Sequence, residues 1–210
     1  MKHARGQDWT TSLKKLRTVA LLGREPGLRV LQDVLIDNPL VELAAVYTHP
    51  NLPKKEGGGP RPELARYEAV CAAAQVPLHR LDVAQAKSLE QMLPEHRADL
   101  LLVLSWRSIL TAAMLAQARF AINLHRGALP AYAGAEPVRR AIEAGEARVA
   151  ITAHHMVEEV DAGRVAATVW MDIAPCPPPL SAAEYAEEVK ARLLPLYAPL
   201  ARLAIASVAA

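Results

Sequence analysis

The chain is poor in aromatic residues: Phe, Trp and Tyr together make 4% of its 210 residues, with a single phenylalanine at Phe120. Apolar residues still reach 52%, so Ala, Leu and Val must build the core. Cysteine is scarce as well. Cys71 and Cys176 stand far apart with no CxxC pair, which argues against a disulfide framework and for a reducing, cytoplasmic setting. Neither sign of charge dominates. With 24 basic and 22 acidic residues the formal net charge is +2, and nothing global points to a nucleic acid or an anionic membrane. Basic residues gather near the start (Lys2, Arg5, Lys14, Lys15, Arg17 against Asp8). That stretch has no apolar core and does not read as a signal peptide. The longest clean apolar run, residues 100–104, is too short to span a bilayer. The length suits one domain, expected over residues 16–210 behind a basic arm at 1–15.

What is present is an alternation of strand and helix signals. Residues 17–22 (RTVALL), 41–48 (VELAAVYT), 77–81, 98–105 (ADLLLVLS) and 120–124 (FAINL) read as strands. Helical spacing appears at 28–36, 63–74, 84–96 and 109–118, with a loop at Gly23–Gly27. The strands are near-continuous apolar runs rather than polar/apolar alternations. That predicts an α/β fold: a mostly parallel, Rossmann-like sheet with helices on both faces. The pattern then changes. A helix at 137–144 precedes two strands, 149–155 and 164–173, expected as an antiparallel pair about the turn Asp161-Ala162-Gly163. A C-terminal helix carries Val189, Leu193, Leu196, Leu200 and Leu203 as one apolar stripe, kinked by Pro195 and Pro199. That stripe suits internal packing or a dimer seam, so a monomer or a homodimer is expected. The segment 49–62 (HPNLPKKEGGGPRP) is rich in Pro, Gly and charge and reads as a mobile loop.

In open α/β sheets ligands bind beyond the carboxyl ends of the strands. Two strands deliver polar groups there. One ends in Asn123-Leu124-His125, whose alternation puts Asn123 and His125 on one side. The other ends in Ser105-Trp106-Arg107. Asp161 lies in a tight turn whose Gly163 is free to take strained dihedrals. An amide donor beside an imidazole suits acyl transfer, because both groups can hydrogen-bond a developing oxyanion. A carboxylate nearby raises the imidazole's proton affinity and accepts protons from an attacking amine. No serine or cysteine stands out as a nucleophile, which favours direct transfer over an acyl-enzyme. His154-His155 with Glu158-Glu159 does not read as a metal site, since neighbours on a strand face opposite ways.

Residues 122–140 (INLHRGALPAYAGAEPVRR) resemble the N-[IVL]-H-x-S-L-L-P-x-x-x-G-x-x-P stretch of formyltetrahydrofolate-dependent transferases. Residues 153–165 (AHHMVEEVDAGRV) resemble the H-x-[MV]-x-x-x-x-D-x-G-x-[IV] segment that follows it. The family includes glycinamide ribonucleotide, methionyl-tRNA and sugar-nucleotide formyltransferases. The likeness extends more weakly over residues 16–173. It implies that Asn123, His125 and Asp161 are catalytic and that 10-formyltetrahydrofolate is the formyl donor; no metal is expected. It further implies that the pterin lies against Leu104, Ser105, Trp106 and Arg107 and the backbone of Val157, Glu158, Glu159 and Val160.

Departures from the family pattern bear on the acceptor. Gly127 and Ala128 stand where Ser and Leu are usual, and Ala133 replaces a frequent Arg. The loop after the first strand lacks the G-S-G-S-N type phosphate cradle of glycinamide ribonucleotide enzymes. The chain also stops about where the family's catalytic domain does, short of the further domain of methionyl-tRNA enzymes. Residues 43–50 (LAAVYTHP) read closest to sugar-nucleotide amine formyltransferases. The expected partner is therefore a small-molecule amine. Lys54, Lys55 and Arg61 read as charges on a solvated loop, and as candidates to meet an anionic acceptor such as a nucleotide diphosphate. Two alternatives stay open: a formyltetrahydrofolate hydrolase with water as acceptor, and a non-catalytic folate-binding or interaction protein.

Overall fold

The computed structural model describes residues 14–209; of the basic arm only Lys14 and Lys15 fall within them. Seven strands form one sheet in the order β3-β2-β1-β4-β5-β6-β7. They are β1 (Leu16–Leu22), β2 (Val41–Thr48), β3 (Leu78–Arg80), β4 (Leu100–Leu104), β5 (Phe120–His125), β6 (Arg148–His155) and β7 (Val165–Asp172). β1 to β5 run parallel, while β6 is antiparallel to β5 and β7 to β6. The mostly parallel sheet and the terminal antiparallel pair both match the sequence expectation.

The apolar runs are buried on both sides. On one face Ala20, Leu22, Leu102, Leu104, Ile122 and Leu124 pack against α1 (Arg24–Val30), α2 (Leu64–Ala73), α5 (Pro137–Glu143), α6 (Ala182–Leu193) and α7 (Tyr197–Ala209). On the other, Val19, Leu21, Leu101, Val103 and Ala121 pack against α3 (Leu89–His96) and Met114 of α4 (Ala112–Leu115). With helices covering both faces, the sheet is left open at the carboxyl edge, where the polar strand ends lie.

Several elements depart from their sequence reading. The expected loop at Gly23–Gly27 is instead the first turn of α1, which continues as a π-helical turn over Leu31–Leu35. Pro26 fits there because an N-terminal turn needs no N–H from it. The helix read at 84–96 is split: Asp82 and Gln85 form a capping box on a 3₁₀ turn (Val83–Ser88), and α3 follows. The helix read at 109–118 shrinks to four residues, because Thr111 caps it by accepting the Met114 N–H at 3.2 Å. Residues before Thr111 stay in the loop beyond β4.

Pro195 breaks the C-terminal helix as expected, through a 3₁₀ turn at Leu194–Leu196. Pro199 falls in the first turn of α7 and is tolerated. The break rotates the apolar face, so Tyr197, Leu200, Ala201, Ala204 and Ile205 point inward. Leu203, expected on the buried stripe, is 51% exposed. By length and composition alone, residues 182–209 are apolar enough to cross a membrane. In this fold the buried face of α7 seats on β5, β6 and β7.

This register makes a direct prediction. Leu200→Ala should lower unfolding free energy in urea by about 2–5 kcal/mol, the range for a buried leucine. Leu203→Ala should stay within about 0.5 kcal/mol of wild type. Equal losses at the two positions would contradict the rotation at Pro195.

Candidate active site

The carboxyl ends of β1, β4 and β5 open on a cleft of about 560 Å³. Its walls come from residues 103–110 at and beyond the end of β4, 123–126 at the end of β5, 134–137 at the start of α5, and 156–158, 160 and 161 between β6 and β7. Among the described residues six non-glycine positions have positive φ, and four of them line this cleft: Arg24, Ser105, Glu136 and Asp161. Each such residue costs on the order of 1 kcal/mol, and such strain concentrates where side chains are held for a purpose.

Asn123, His125 and Asp161 do converge. Asp161 Oδ2 lies 3.2 Å from His125 Nδ1 and accepts the Gly134 N–H at 2.9 Å. Asp161 Oδ1 lies 3.3 Å from His154 Nε2 and accepts from the Asn123 amide at 3.4 Å. The Asn123 amide nitrogen is also 3.1 Å from His154 Nε2. His154, 2% exposed, is thus a fourth member that the sequence reading missed. The alternation of β6 carries the signal: His154 and His155 do face opposite ways, with His154 turned into the cluster. His155 turns outward, where Arg164 donates to its Nε2 at 2.8 Å. Among the described residues no group of three or more His, Cys, Asp or Glu forms a metal cage.

The electrostatics of the pair are opposed. Burial lowers the His125 pKa below its ordinary 6.5, while its bond to the Tyr132 carbonyl and the Asp161 charge pull it back up. His125 Nε2 is 2.8 Å from that carbonyl, so both ring nitrogens face an acceptor. Burial alone would raise the Asp161 pKa. Bonds from His154 and the Gly134 N–H, with the His125 charge, outweigh it and leave the carboxyl below its ordinary value.

Two glycines fix this geometry, for a reason other than the one expected. Gly163 does not adopt a left-handed φ; Asp161 does, at +56°. A Cβ on Gly163 would sit 1.7 Å from the His155 carbonyl oxygen, so the close crossing of two chain segments requires glycine. A Cβ on Gly127 would fall 2.8 Å from both His125 Nε2 and the Tyr132 oxygen. Where relatives of the motif carry serine, this loop closes directly on the His125 ring.

The expected pterin residues divide. Leu104, Ser105, Trp106, Arg107, Val157, Glu158 and Val160 line the cleft; Glu159 does not. The wall continues through Ser108, Ile109 and Leu110, which the sequence reading left out. Trp106 Nε1 and Ser108 Oγ are buried without a partner, so two polar handles wait beside an apolar surface. This suits a flat heteroaromatic ring. The loop is pinned by His49, 1% exposed. His49 Nδ1 meets the Leu81 carbonyl at 2.7 Å, Nε2 accepts the Arg107 N–H at 3.2 Å, and the ring stacks on Trp106 at 3.9 Å.

The residues expected to meet an anionic acceptor are not brought together. Arg61 does not project from a solvated loop: it is 6% exposed, donating to the His49 carbonyl at 3.1 Å and to Thr48 Oγ1 at 3.4 Å. Its guanidinium anchors the loop from within, with the Glu63 carboxylate 3.8 Å from Nε as the opposite charge that a buried cation needs. Lys54 is exposed on a 3₁₀ turn (Lys54–Glu56) and lies outside the cleft wall. The side chain of Lys55 falls outside the described set. The segment is also more ordered than its composition suggests, with a bridge between Asn51 and Pro60 and Glu56 bonded to Arg24.

A family model described as formyl transferase matches residues 19–193. Methionyl-tRNA formyltransferase of Protochlamydia amoebophila is 32% identical over 142 residues, covering 67% of this chain and 44% of that protein. That of Stenotrophomonas maltophilia is 34% identical over 125 residues, covering 59% and 40%. The match thus spans less than half the length of these relatives. Among solved structures, glycinamide ribonucleotide transformylase 1 from Symbiobacterium toebii superposes with a TM-score of 0.71 at 18% identity, covering 96% of this chain and 90% of its own. Phosphoribosylglycinamide formyltransferase from Brucella melitensis gives 0.71 at 20% identity, covering 94% and 97%. At these identities the likeness is one of fold.

His49 yields a pH prediction. Burial lowers its pKa from 6.5 to about 4. Between those values the unfolded chain binds the proton and the folded one does not. Stability is therefore complete above pH 6.5 and falls as pH drops towards 4, by roughly 3 kcal/mol in all. His125, also lowered, adds to the slope in the same direction. Chemical unfolding at pH 7, 6, 5 and 4 should show a steeper loss for wild type than for His49→Gln. Parallel profiles would refute a buried neutral His49.

Proposed function

The chain belongs to the formyl transferase family, and from that premise we propose that it transfers a formyl group from 10-formyltetrahydrofolate to the primary amine of a small-molecule acceptor. The observation that carries this reading is the convergence of Asn123, His125, His154 and Asp161 on one wall of a cleft that also presents Trp106. In this reading Asn123, His125 and Asp161 are catalytic. The residues of the Trp106 loop, with Val157, Glu158 and Val160, hold the donor's pterin. The cavity is large enough for a ligand of that size, and the unpartnered Trp106 and Ser108 groups supply it with polar contacts.

The chemistry follows from the donor set. The acceptor nitrogen bonds to the formyl carbon while the bond from that carbon to the donor nitrogen breaks. Negative charge collects on the formyl oxygen in between. The Asn123 amide has two hydrogens; in this reading Asp161 holds one and the second turns to that oxygen. His125 joins it by exchanging the Tyr132 carbonyl for the oxyanion. Asp161, ionised at neutral pH, takes the proton that the attacking amine loses. A proton returned through His125 completes the departing donor nitrogen.

The small-molecule amine, and an amino sugar on a nucleotide diphosphate as one example, rests on the motif wording. The relatives named above act on other amines by name. Lys54, on the flap outside the cleft, reaches such an acceptor only if that flap moves inward. Water as the acceptor draws no support from those relatives, which are all named as transferases.

Asn123→Ala, His125→Ala and Asp161→Ala should each lower the rate of tetrahydrofolate release with an amine acceptor by about 10²–10³, while circular dichroism stays native. A folded Asn123→Ala protein at near-normal rate would sink the assignment. A formyltetrahydrofolate analogue should also quench Trp106 emission. The exposed Trp170 should not respond, so a quench that survives Trp106→Phe would place the donor elsewhere.

A further inference from the structure

Ionisable side chains around the cleft fall into those with a charged or fixed partner and those without. Asp161 is held by His125, His154 and Gly134. Arg24 is bonded to Glu56, and Lys190 to Glu136 at 3.3 Å and Glu187 at 2.8 Å. Among the described residues neither Arg107, on the Trp106 side, nor Arg126, beside His125, has a carboxylate within ion-pair distance. The one bond of the Arg126 side chain runs from Nε to the phenol oxygen of Tyr197, at 3.0 Å. Tyr197 is 1% exposed and lies on α7, 71 residues along the chain. A buried phenol that holds a guanidinium by Nε fixes its plane and leaves both terminal nitrogens to a ligand. That is the fork that recognises a carboxylate or a phosphoryl group.

The position gives the fork its meaning. Arg126 follows His125 directly and shares the cleft wall with Glu136, Pro137, Lys190 and Tyr197. The Trp106 loop with Met156, Val157, Glu158 and Val160 forms the remaining wall. Asn123, His125 and Asp161 belong to the same lining. If the donor occupies the Trp106 side, an amine approaching from the other passes Arg126. An unpaired guanidinium half-buried in a narrow cleft attracts anions more strongly than a surface charge, because less solvent screens it. It is also a poor neighbour for a neutral or cationic amine.

Resting on the transferase reading above, we propose that Arg126 is the anion anchor of the acceptor subsite, so that the acceptor is a primary amine bearing a carboxylate or phosphoryl group. Arg126 sets which amine enters and Asp161 takes its proton. This differs from an anion site on the flap: Arg61 is spent inside the fold, and Lys54 lies off the cleft wall.

Two measurements test it. First, inorganic phosphate and, separately, acetate are titrated into wild type, Arg126→Gln and Arg107→Gln by NMR. At least one anion should bind wild type and Arg107→Gln alike and lose tenfold or more in Arg126→Gln; the preferred anion names the group. No binding to wild type, or equal binding to Arg126→Gln, overturns the anchor. Second, formyl transfer is assayed on matched amines that differ only in the anionic group: amino acids against their amides, and amino sugars against their phosphates. Transfer should favour the anionic members. Arg126→Gln should raise acceptor KM about tenfold or more with donor KM within twofold, and Arg126→Lys should recover part of it. Equal use of neutral members, or an unaltered acceptor KM, overturns the proposal while leaving formyl transfer standing. Arg126-dependent anion binding with no amine formylated would instead bring down the transferase reading and keep the anion site.

Discussion

A carboxylate shared between two imidazoles is the contact on which the rest of this structure turns. Asp161 stands 3.2 Å from His125 and 3.3 Å from His154, and it draws in the Asn123 amide and the Gly134 N–H. Burying a carboxylate is costly unless every lone pair finds a donor. Four polar groups from β5, β6 and the segment before α5 gather on it. Pulled together on one anion, they bring three separate stretches of chain to the same wall. The left-handed backbone at Asp161 and the glycine required at position 163 serve that approach. The pair-like crossing of residues 155 and 163 aims the carboxylate back at the sheet.

The same logic governs the opposite wall in milder form. A neutral, buried His49 ties the end of β2 to the strand-end carbonyl of Leu81 and to the Arg107 N–H, with its ring against Trp106. Arg61 in turn holds the His49 carbonyl. The Trp106 loop is therefore positioned by groups that touch no ligand. A loop fixed in this way can present apolar surface and two unpartnered polar atoms without collapsing on them. What the sheet contributes is rigidity: β4 and β5 are buried on both faces and cannot shift their registers without moving the core.

Much of this was legible in the residues. Continuous apolar runs in β1, β4 and β5 announced a parallel sheet, and the change to a strand pair near Asp161 marked its antiparallel end. The convergence of Asn123, His125 and Asp161 followed from strand-end placement together with the motif spacing. Three things were not legible. His154 was discounted as one of two adjacent histidines, although alternation on a strand means that one of them must face inward. Arg61 looked solvated by composition, because a Pro- and Gly-rich stretch does not reveal that the chain folds back over its own arginine. Leu203 fitted a perfect heptad-like stripe, yet one proline upstream rotated the helix and turned it out. In each case the deciding contact is long-range in sequence, and periodicity speaks only to neighbours along the chain.

The central claim is that the Asp161 charge tunes His125. Burial holds the imidazole pKa down and Asp161 works against it. The most direct test is the titration of the His125 imidazole by heteronuclear NMR in wild type and in Asp161→Asn. Removing the charge while keeping the shape should drive the His125 pKa lower still, since desolvation then acts with less opposition. A His125 titration that is unchanged, or that moves upward, in a folded Asp161→Asn protein would contradict the account.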